Sequence, residues 1–511
     1  MKQQKWKLAA GILLLLLLVP VYYAWIYFHV IGYEPNADMA SHLLQANAML
    51  HGNVLLKFWW NANFAPMATD LPYYILMLAK MGPGLKTMWH AYTLAYVMPV
   101  VLLLVLLGIA NGKNKLWPFL PAVMVLFPTR TVLKASRIHF AVPAFLLMEL
   151  LLTVWLYRAK KGWKLLPLLL LFAAAVCGSV SDDILLVVFD LPLIGWGVLE
   201  CIRSRRLTAK GTGFAAAGAA VTLASKLLQG YWRSNYCIPV AESVETNYAL
   251  SPAAFIKNCR DMAVMQAEMF GMNESVFCAA RILLGVCATL LAVYTVLQML
   301  RGKKSGFLLE FASVSYGVLC AGLILMGSLK YRYFLAGIFL ECLILGCWVK
   351  STEPMQGRKK ARALCAAVLL LACLPGIWPL QKEAIDPEKL RTVEMMQQAG
   401  VERAYATGFW YEIPLWVYSQ GKVRVLTTKI SDDGINSFRW FEDSREYQKP
   451  VYAILCGQKG QTSEAISGAP EYFIERIGEP AEIYTEGEHT LLVYDWNLTK
   501  VMDKYRKSSD D

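Results

Sequence analysis

The sequence predicts a polytopic α-helical membrane protein with a small α/β domain at its C-terminal end, and three observations support this prediction. Hydrophobic residues make up 57% of the 511 residues and charged residues only 17%, whereas a soluble chain has roughly a quarter of its residues charged. The apolar residues form blocks of about 17 to 25, the length that crosses a bilayer core of roughly 30 Å as a helix. Residues 381–511 lack such blocks and are net acidic.

About eleven helices account for the apolar blocks and define a membrane domain over residues 1–380. The spans are predicted at about 8–32, 88–110, 116–133, 139–157, 164–181, 183–200, 212–229, 281–300, 308–328, 333–349 and 363–380. The first span resembles the core of a signal peptide. It continues past Pro20 into aromatic residues without a small-residue cleavage site, which favours an uncleaved signal anchor.

The basic residues between the spans predict the orientation. With the N-terminus in the cytoplasm, the predicted cytoplasmic segments hold 21 Lys and Arg in 51 residues, whereas the external loops hold 11 in 124. This difference follows the positive-inside rule and predicts a multi-pass plasma-membrane protein whose residues 381–511 are extracytoplasmic. The same rule explains the net charge of +12, so we expect the bilayer, and no nucleic acid, as a partner.

Residues 381–511 are predicted to form an extracytoplasmic α/β domain. Pro387–Ala399 and Phe409–Ser419 are expected to be helices, and Gly421 is expected to close the second. Four short runs rich in Val, Leu and Tyr are predicted strands: 403–407, 423–427, 451–455 and 490–495.

Two long external loops, 33–87 and 230–280, are the places where chemistry is expected. In the first loop, an amphipathic helix is predicted over about 39–51, with Asp38 as its N-cap and Gly52 as its stop, lying along the bilayer interface. Two explanations of Asp38 stay open: it only caps this helix, or it serves as a general base for a hydroxyl acceptor. In the second loop, the amphipathic stretch 252–270 is either a lid over the site or a helix packed on the bundle.

Four short elements of the sequence resemble the GT-C superfamily of membrane glycosyltransferases, which includes protein mannosyltransferases and aminoarabinose transferases. They are the acid-rich start of the first loop with Glu34 and Asp38, the run Asp70-Leu-Pro-Tyr73-Tyr74, the run Arg137-Ile-His139, and the run Lys330-Tyr-Arg332-Tyr333. The layout of the first 350 residues also resembles that family. Two positions depart from its pattern, because His139 replaces the usual acid and Ala336 stands where Pro is common.

The resemblance implies a transfer of sugar from a polyprenyl-phosphate donor to a glycan, lipid or protein acceptor at the outer face. Asp38 would be the catalytic base and Glu34 its alternate. Phosphate binding and the lining of the cavity would fall to the remaining candidates: Arg137, His139, Asp182, Lys330 and Arg332. The scheme requires no metal and no cofactor.

Simpler explanations exist for several of these residues. Arg137 and Arg332 could only anchor helix ends at the interface, as Lys and Arg commonly do. The pair Asp182-Asp183 could bind a divalent ion or only cap a helix. Acids within the spans, among them Glu149 and Asp190, are either functional or paired inside the bundle, and a functional role is favoured only for Asp190.

Two other functions compete with glycosyl transfer. A transporter or lipid flippase would also have many spans and intramembrane acids, but the sequence shows no internal repeat and the long external loops fit it poorly. A noncatalytic envelope assembly protein is the third possibility. Substitution of Asp38 by Asn discriminates, because an enzyme would lose transfer while a scaffold would not be affected.

Overall fold

The structure is a computed structural model of the chain. It describes residues 17–61, 66–111, 117–158, 164–239, 248, 251–274, 278–327, 329–351, 367, 371, 385–406, 409–431, 434–437, 442–457 and 469–499. Through residue 351 the described chain is mostly helical. In chain order the elements are α1 (Leu17–Val30), α2 (Ala37–Leu50), β1 (Trp59–Asn61), α3 (Leu71–Met81), α4 (Leu85–Asn111), α5 (Val123–Leu126), α6 (Arg130–Ala135), α7 (Val142–Arg158), α8 (Leu165–Ser181), α9 (Asp183–Ser204), α10 (Ala209–Tyr236), β2 (Cys237–Pro239), α11 (Pro252–Met269), α12 (Cys278–Leu300), α13 (Phe307–Met326) and α14 (Tyr331–Ser351).

Six of the described helices are long and apolar enough to cross a membrane: α4, α9, α10, α12, α13 and α14. Each overlaps one of the predicted spans. Two further predicted spans form α7 and α8, which have 17 residues each, and the described part of the first span forms α1. The predicted span 363–380 lies outside the described residues, apart from residues 367 and 371.

The predicted continuous span over 116–133 is wrong. The chain there forms a 3₁₀ helix at Trp117–Ala122, then α5, and it begins α6 only after Thr129. The prolines of this stretch are responsible, because Pro118, Pro121 and Pro128 lack the backbone N–H that an α-helix interior requires.

The predicted interfacial position of the first-loop helix is also wrong. Every residue of α2 from Ala37 to Ala46 is buried inside the protein. Its neighbours include α3, and the four-residue helix Phe409–Glu412 of the C-terminal domain also touches it. Helix α2 therefore packs inside the protein and does not lie along the bilayer interface.

The C-terminal part forms an α/β domain, as predicted, around a sheet of six described strands, four of which lie at the predicted runs. Its elements are α15 (Pro387–Gln398), β3 (Arg403–Ala406), α16 (Phe409–Glu412), α17 (Leu415–Tyr418), β4 (Arg424–Ser431), β5 (Gly434–Ser437), β6 (Glu442–Asp443), β7 (Ala453–Cys456), α18 (Pro470–Ile477), β8 (Glu482–Glu486) and β9 (His489–Val493). The strand order is β5-β4-β3-β7-β9-β8, with β4, β3 and β7 parallel and the outer strands antiparallel. The helix predicted over Phe409–Ser419 is two short helices that part before Leu415, with Pro414 between them.

A second, three-stranded sheet ties this domain to the membrane domain. Strand β1 of the first loop pairs in parallel with β2, which follows the end of α10, and antiparallel with β6 of the C-terminal domain. Three distant parts of the chain thus meet in one sheet. The stretch 252–270 forms α11, whose Met262, Met265 and Met269 are buried and which packs against α12, α13 and α14, so its stripe faces the bundle.

Candidate functional site

The candidate site joins parts of the chain that are far apart in sequence. Nη1 of Arg332, at the start of α14, lies 3.5 Å from Oδ2 of Asp38 on α2, across 294 residues of chain. The two side chains are 27% and 12% exposed. A single contact of this length is a weak one, so a stronger anion could take Arg332 from Asp38.

Asp38 does not cap its helix, contrary to the first of its two predicted explanations. The N-cap of α2 is Asn36, whose Oδ1 accepts a hydrogen bond from the N–H of Met39 at 2.8 Å. Asp38 is the second residue of the helix, and its carboxylate faces Arg332 instead. Because the cap is supplied by Asn36, the Asp38 carboxylate has no capping role to explain its presence.

His139 is held in an unusual backbone conformation next to Asp182. Its φ is +57°, in the left-handed region that a non-glycine residue enters only at a cost of about 1–3 kcal/mol. The backbone N–H groups of His139 and Ala141 donate to the two carboxylate oxygens of Asp70, at 3.0 and 3.1 Å. The Nδ1 atom of His139 lies 2.5 Å from Oδ2 of Asp182, so Asp70 positions the backbone and Asp182 orients the ring.

The predicted carboxylate pair Asp182-Asp183 is divided between two roles. Oδ1 of Asp182 caps α9 by accepting from the N–H of Ile184 at 3.0 Å, while Oδ2 contacts His139. Asp183 points elsewhere and forms a half-exposed ion pair with Lys226 at 3.0 Å. Among the residues described by the structure, no group of three His, Cys, Asp or Glu side chains could hold a metal ion.

The other predicted cations, Lys330 and Arg137, lie at different distances from this site. Lys330 is exposed, and it is electrostatically coupled to both Asp38 and Arg332. The guanidinium of Arg137 lies over the ring of Tyr33, 5.1 Å from its centroid, near the start of the loop that leads to α2. Arg137 thus lies beside the segment that precedes α2.

Glu34 forms an ion pair with the C-terminal domain. Its carboxylate forms an ion pair with Nζ of Lys389 on α15, and the Lys389 side chain is 7% exposed. Lys389 also lies 4.9 Å above the ring of Tyr411 and 3.8 Å from Asp386. This arrangement explains Glu34 as a docking residue between the two domains and leaves Asp38 as the acid of the site.

Two residues of the site were missed by the sequence argument. Asp70 stands only as the first residue of a short motif that resembles the GT-C pattern, and His42 is not among the candidate residues. The signal for His42 was its position four residues after Asp38, which puts both side chains on one face of a helix. For Asp70 the sequence offered no equivalent, because its partners lie 69 and 71 residues away.

Burial and the neighbouring charges set the protonation of the site. Burial raises the pKa of Asp38, while Arg332, His139 and Lys330 oppose this shift. Burial likewise raises the pKa of Asp70 to about 7 and lowers the pKa of His42 to about 3. His42 is therefore neutral near pH 7, and its 3.8 Å approach to Asp70 is not an ion pair.

We expect the stability of the protein to depend on pH through Asp70. Its carboxyl binds a proton with a pKa of about 7 when folded, against 3.8 as the ordinary value, so its contribution to stability is full below pH 3.8 and is lost as the pH rises through 7. Between pH 8 and pH 5 the wild-type protein should gain on the order of 2 kcal/mol relative to Asp70→Asn. Thermal unfolding midpoints in detergent, measured at both pH values for both proteins, check this. Equal pH slopes would contradict it.

The ion pair between Lys389 and Glu34 is expected to stabilise the docking of the C-terminal domain. Lys389→Met should lower the free energy of unfolding by about 1–3 kcal/mol, because it removes the partner of a partly buried carboxylate. A double-mutant cycle with Glu34→Gln should give a coupling energy above 0.5 kcal/mol. Arg391→Met is the matched control, since its ion pair with Glu486 is about half exposed and should contribute little. A zero coupling energy would exclude the docking role.

The arrangement around Asp38 suits two chemical tasks, the binding of an anionic group and the removal of a proton from a hydroxyl. Arg332 and Lys330 supply positive charge beside a carboxylate whose pKa is raised, and the pair of His139 and Asp182 lies within the same electrostatic neighbourhood. Comparisons of this chain with protein-family models, with curated proteins and with solved structures find no match.

Proposed function

We propose that the protein is a GT-C-like inverting glycosyltransferase that moves a sugar from a polyprenyl-phosphate donor to an acceptor on the outer membrane face. The observation that carries the proposal is the contact of Asp38 with Arg332, which puts a base beside a phosphate-binding cation. The proposal includes about eleven crossings of the membrane, one of them by the interrupted stretch 117–135 that packs along α14. It also includes a plasma-membrane location, a cytoplasmic N-terminus and an extracytoplasmic C-terminal domain. Six long apolar helices and the distribution of basic residues support this topology.

Binding of the donor would use the cations at the site. The lipid phosphate carries negative charge, and a guanidinium donates two parallel hydrogen bonds to it more strongly than to a single carboxylate oxygen 3.5 Å away. Arg332 would therefore turn from Asp38 to the phosphate, and Lys330 would add its charge. Arg137, which lies over Tyr33 near the start of the loop to α2, would add a further cation for the phosphate.

Release of Arg332 would prepare Asp38 for its chemical role. Without its counter-ion, the Asp38 carboxylate becomes a stronger base, because burial already raises its pKa. It accepts the proton of the acceptor hydroxyl as the acceptor oxygen attacks C1 of the sugar. The bond between C1 and the phosphate oxygen breaks, and the polyprenyl phosphate leaves with that electron pair. The configuration at C1 inverts, and no metal ion takes part.

The remaining residues would hold the reacting groups in place. His139 and Asp182 form a rigid hydrogen-bonded pair that can bind sugar hydroxyls, since a carboxylate and an imidazole both accept and direct such bonds. The C-terminal domain, held by Lys389 on Glu34 and by β6 on β1, would form the acceptor side of the site.

Binding of polyprenyl phosphate without a sugar tests the proposal directly. A photoreactive polyprenyl phosphate should bind saturably to the purified full-length protein, at one molecule per chain. Cross-linked peptides identified by mass spectrometry should come from the start of α14 and from α2. Saturable binding that maps to other helices, or an absence of saturable binding, would contradict the proposal.

A transporter or lipid flippase is the second candidate, and the buried acids favour it. Ser179 donates to Oδ2 of Asp190 at 2.7 Å, and the helix widens to a π-helix at Leu186–Asp190, a feature frequent at functional sites. Glu149 is fully buried, and in the described part of the chain neither of its oxygens has a hydrogen-bond partner. A flippase would move labelled lipid across proteoliposomes, and this movement would depend on Asp190 and not on Asp38.

A further inference from the structure

A cavity of about 280 Å³ lies at the end of the membrane domain opposite to Asp38. Helices α4, α7, α13 and α14 form its walls, with Ile109, Val154, Leu308 and Leu309 among the lining side chains. The indole N–H of Trp89 on α4 donates to the carbonyl oxygen of Tyr33, at the start of the loop that leads to α2 and Asp38, at 2.9 Å. The 20 residues of α4 from Trp89 to Ile109, at the cavity, correspond to about 30 Å of helix, which is the thickness of a bilayer core. The cavity therefore belongs to the opposite membrane face.

Aromatic and basic side chains surround the opening of this cavity. Tyr157 and Arg158 end α7 at its rim, and both are exposed. Nζ of Lys210 donates to the hydroxyl of Tyr157 at 2.8 Å, and the ring of Tyr157 stacks on Phe307 at 4.9 Å. One edge of the apolar cavity thus carries two cations.

In the sequence, the residues next to Arg158 and next to Ser305, Gly306 and Phe307 of the lining include several basic residues and no acids. Residues 158–164 and 301–307, which contribute lining residues at their ends, contain seven Lys and Arg and no Asp or Glu. Arg301, Lys303 and Lys304 of the second segment are exposed. The acids nearest in sequence are Glu149, which is fully buried in α7, and Glu310, which is paired with Arg203. The rim therefore attracts negative charge.

We propose that this cavity binds an anionic phospholipid of the cytoplasmic leaflet, with part of an acyl chain inside and the phosphate at Arg158 and Lys210. The apolar lining offers water few hydrogen-bond partners. An acyl chain therefore occupies this cavity more favourably than water does. Basic pockets between membrane helices bind anionic head groups. The occupant is a lipid and not a free phosphate, because the cations flank an apolar volume.

Native mass spectrometry of the purified full-length protein with phosphatidylglycerol tests the site. The wild-type protein should retain one phosphatidylglycerol under conditions that remove phosphatidylcholine, and its unfolding midpoint should rise more with the anionic lipid. Val154→Phe or Ala110→Phe should fill the cavity and abolish the retained lipid. Arg158→Gln should weaken binding about tenfold by removing a charged phosphate contact.

Matched controls separate this site from general effects of charge and lipid. Leu290→Phe adds the same ring on an exposed face of α12, and Arg260→Gln removes an exposed cation of α11. Both proteins should retain phosphatidylglycerol as the wild type does. Equal retention of the two lipids, retention by both cavity-filling variants, or an equal stabilisation by glycerol phosphate alone would each overturn the proposal.

Discussion

Asp38→Asn is expected to reduce sugar transfer by about 10²- to 10⁴-fold, the range typical for the loss of a general base. The asparagine keeps the size of the side chain but does not accept a proton from the acceptor hydroxyl. Because Asn36 caps α2, the substitution removes no capping bond, and the unfolding midpoint should stay close to that of the wild type. Transfer is measured with the purified protein, a polyprenyl-phosphate sugar and membrane extract as the source of acceptor.

Glu34→Gln is the matched control for this variant. Glu34 lies in the same loop, but its carboxylate is paired with Lys389, so transfer should fall by less than tenfold. The rate of the wild type should also fall as the pH is lowered through the pKa of Asp38, which burial places above the usual 3.8. Full transfer by Asp38→Asn, or an equal loss in both variants, would show that Asp38 is not the base.

The pattern of apolar blocks and short strands was sufficient to predict most elements of the fold. Six long apolar helices lie where hydrophobic length placed them, and four strands of the C-terminal sheet, β3, β4, β7 and β9, lie at the predicted β-rich runs. The outer strands β5 and β8 were not predicted. The break within 116–133 was also visible in the sequence, because three prolines interrupt the block. Hydrophobic length alone predicts a continuous span there, but the prolines lack the backbone donors that such a helix requires.

Helix capping shows where local pattern has no answer. Asn36 and Asp38 are almost equally good N-caps, so the sequence could not decide which of them begins α2. Packing decides: α2 is buried from Ala37 onward, and the carboxylate of Asp38 is directed at a cation that lies 294 residues away. Only the tertiary structure contains that information.

Contacts over long sequence distances explain the other residues that the sequence left undetermined. The left-handed backbone of His139 depends on Asp70, and the role of Glu34 depends on Lys389, which is 355 residues away. Neither partner follows from spacing or composition. The resemblance of short motifs predicted that Asp38, Arg137 and Arg332 lie at one site. The structure joins Asp38 with Arg332 and puts Arg137 over Tyr33, and these contacts are properties of the fold.

Arg332→Gln is expected to weaken the binding of polyprenyl phosphate by about 10- to 100-fold, which corresponds to the loss of a charged hydrogen bond worth about 1.5–3 kcal/mol. Binding is measured by titration of the full-length protein in detergent with the lipid phosphate alone. Lys257→Gln removes an exposed cation of α11 and should leave the dissociation constant unchanged. Lys330→Gln should have an intermediate effect, because its exposed ammonium is screened by water.

The two variants of the central contact should act in opposite directions on binding. In the wild type, Asp38 competes with the phosphate for Arg332, so Asp38→Asn should bind polyprenyl phosphate more tightly, by a few-fold, although it no longer transfers sugar. In the Arg332→Gln background the same substitution should leave the affinity almost unchanged, since there is no guanidinium to release. If Arg332→Gln binds the lipid phosphate as well as the wild type does, Arg332 is only the counter-ion of Asp38, and the donor phosphate lies elsewhere.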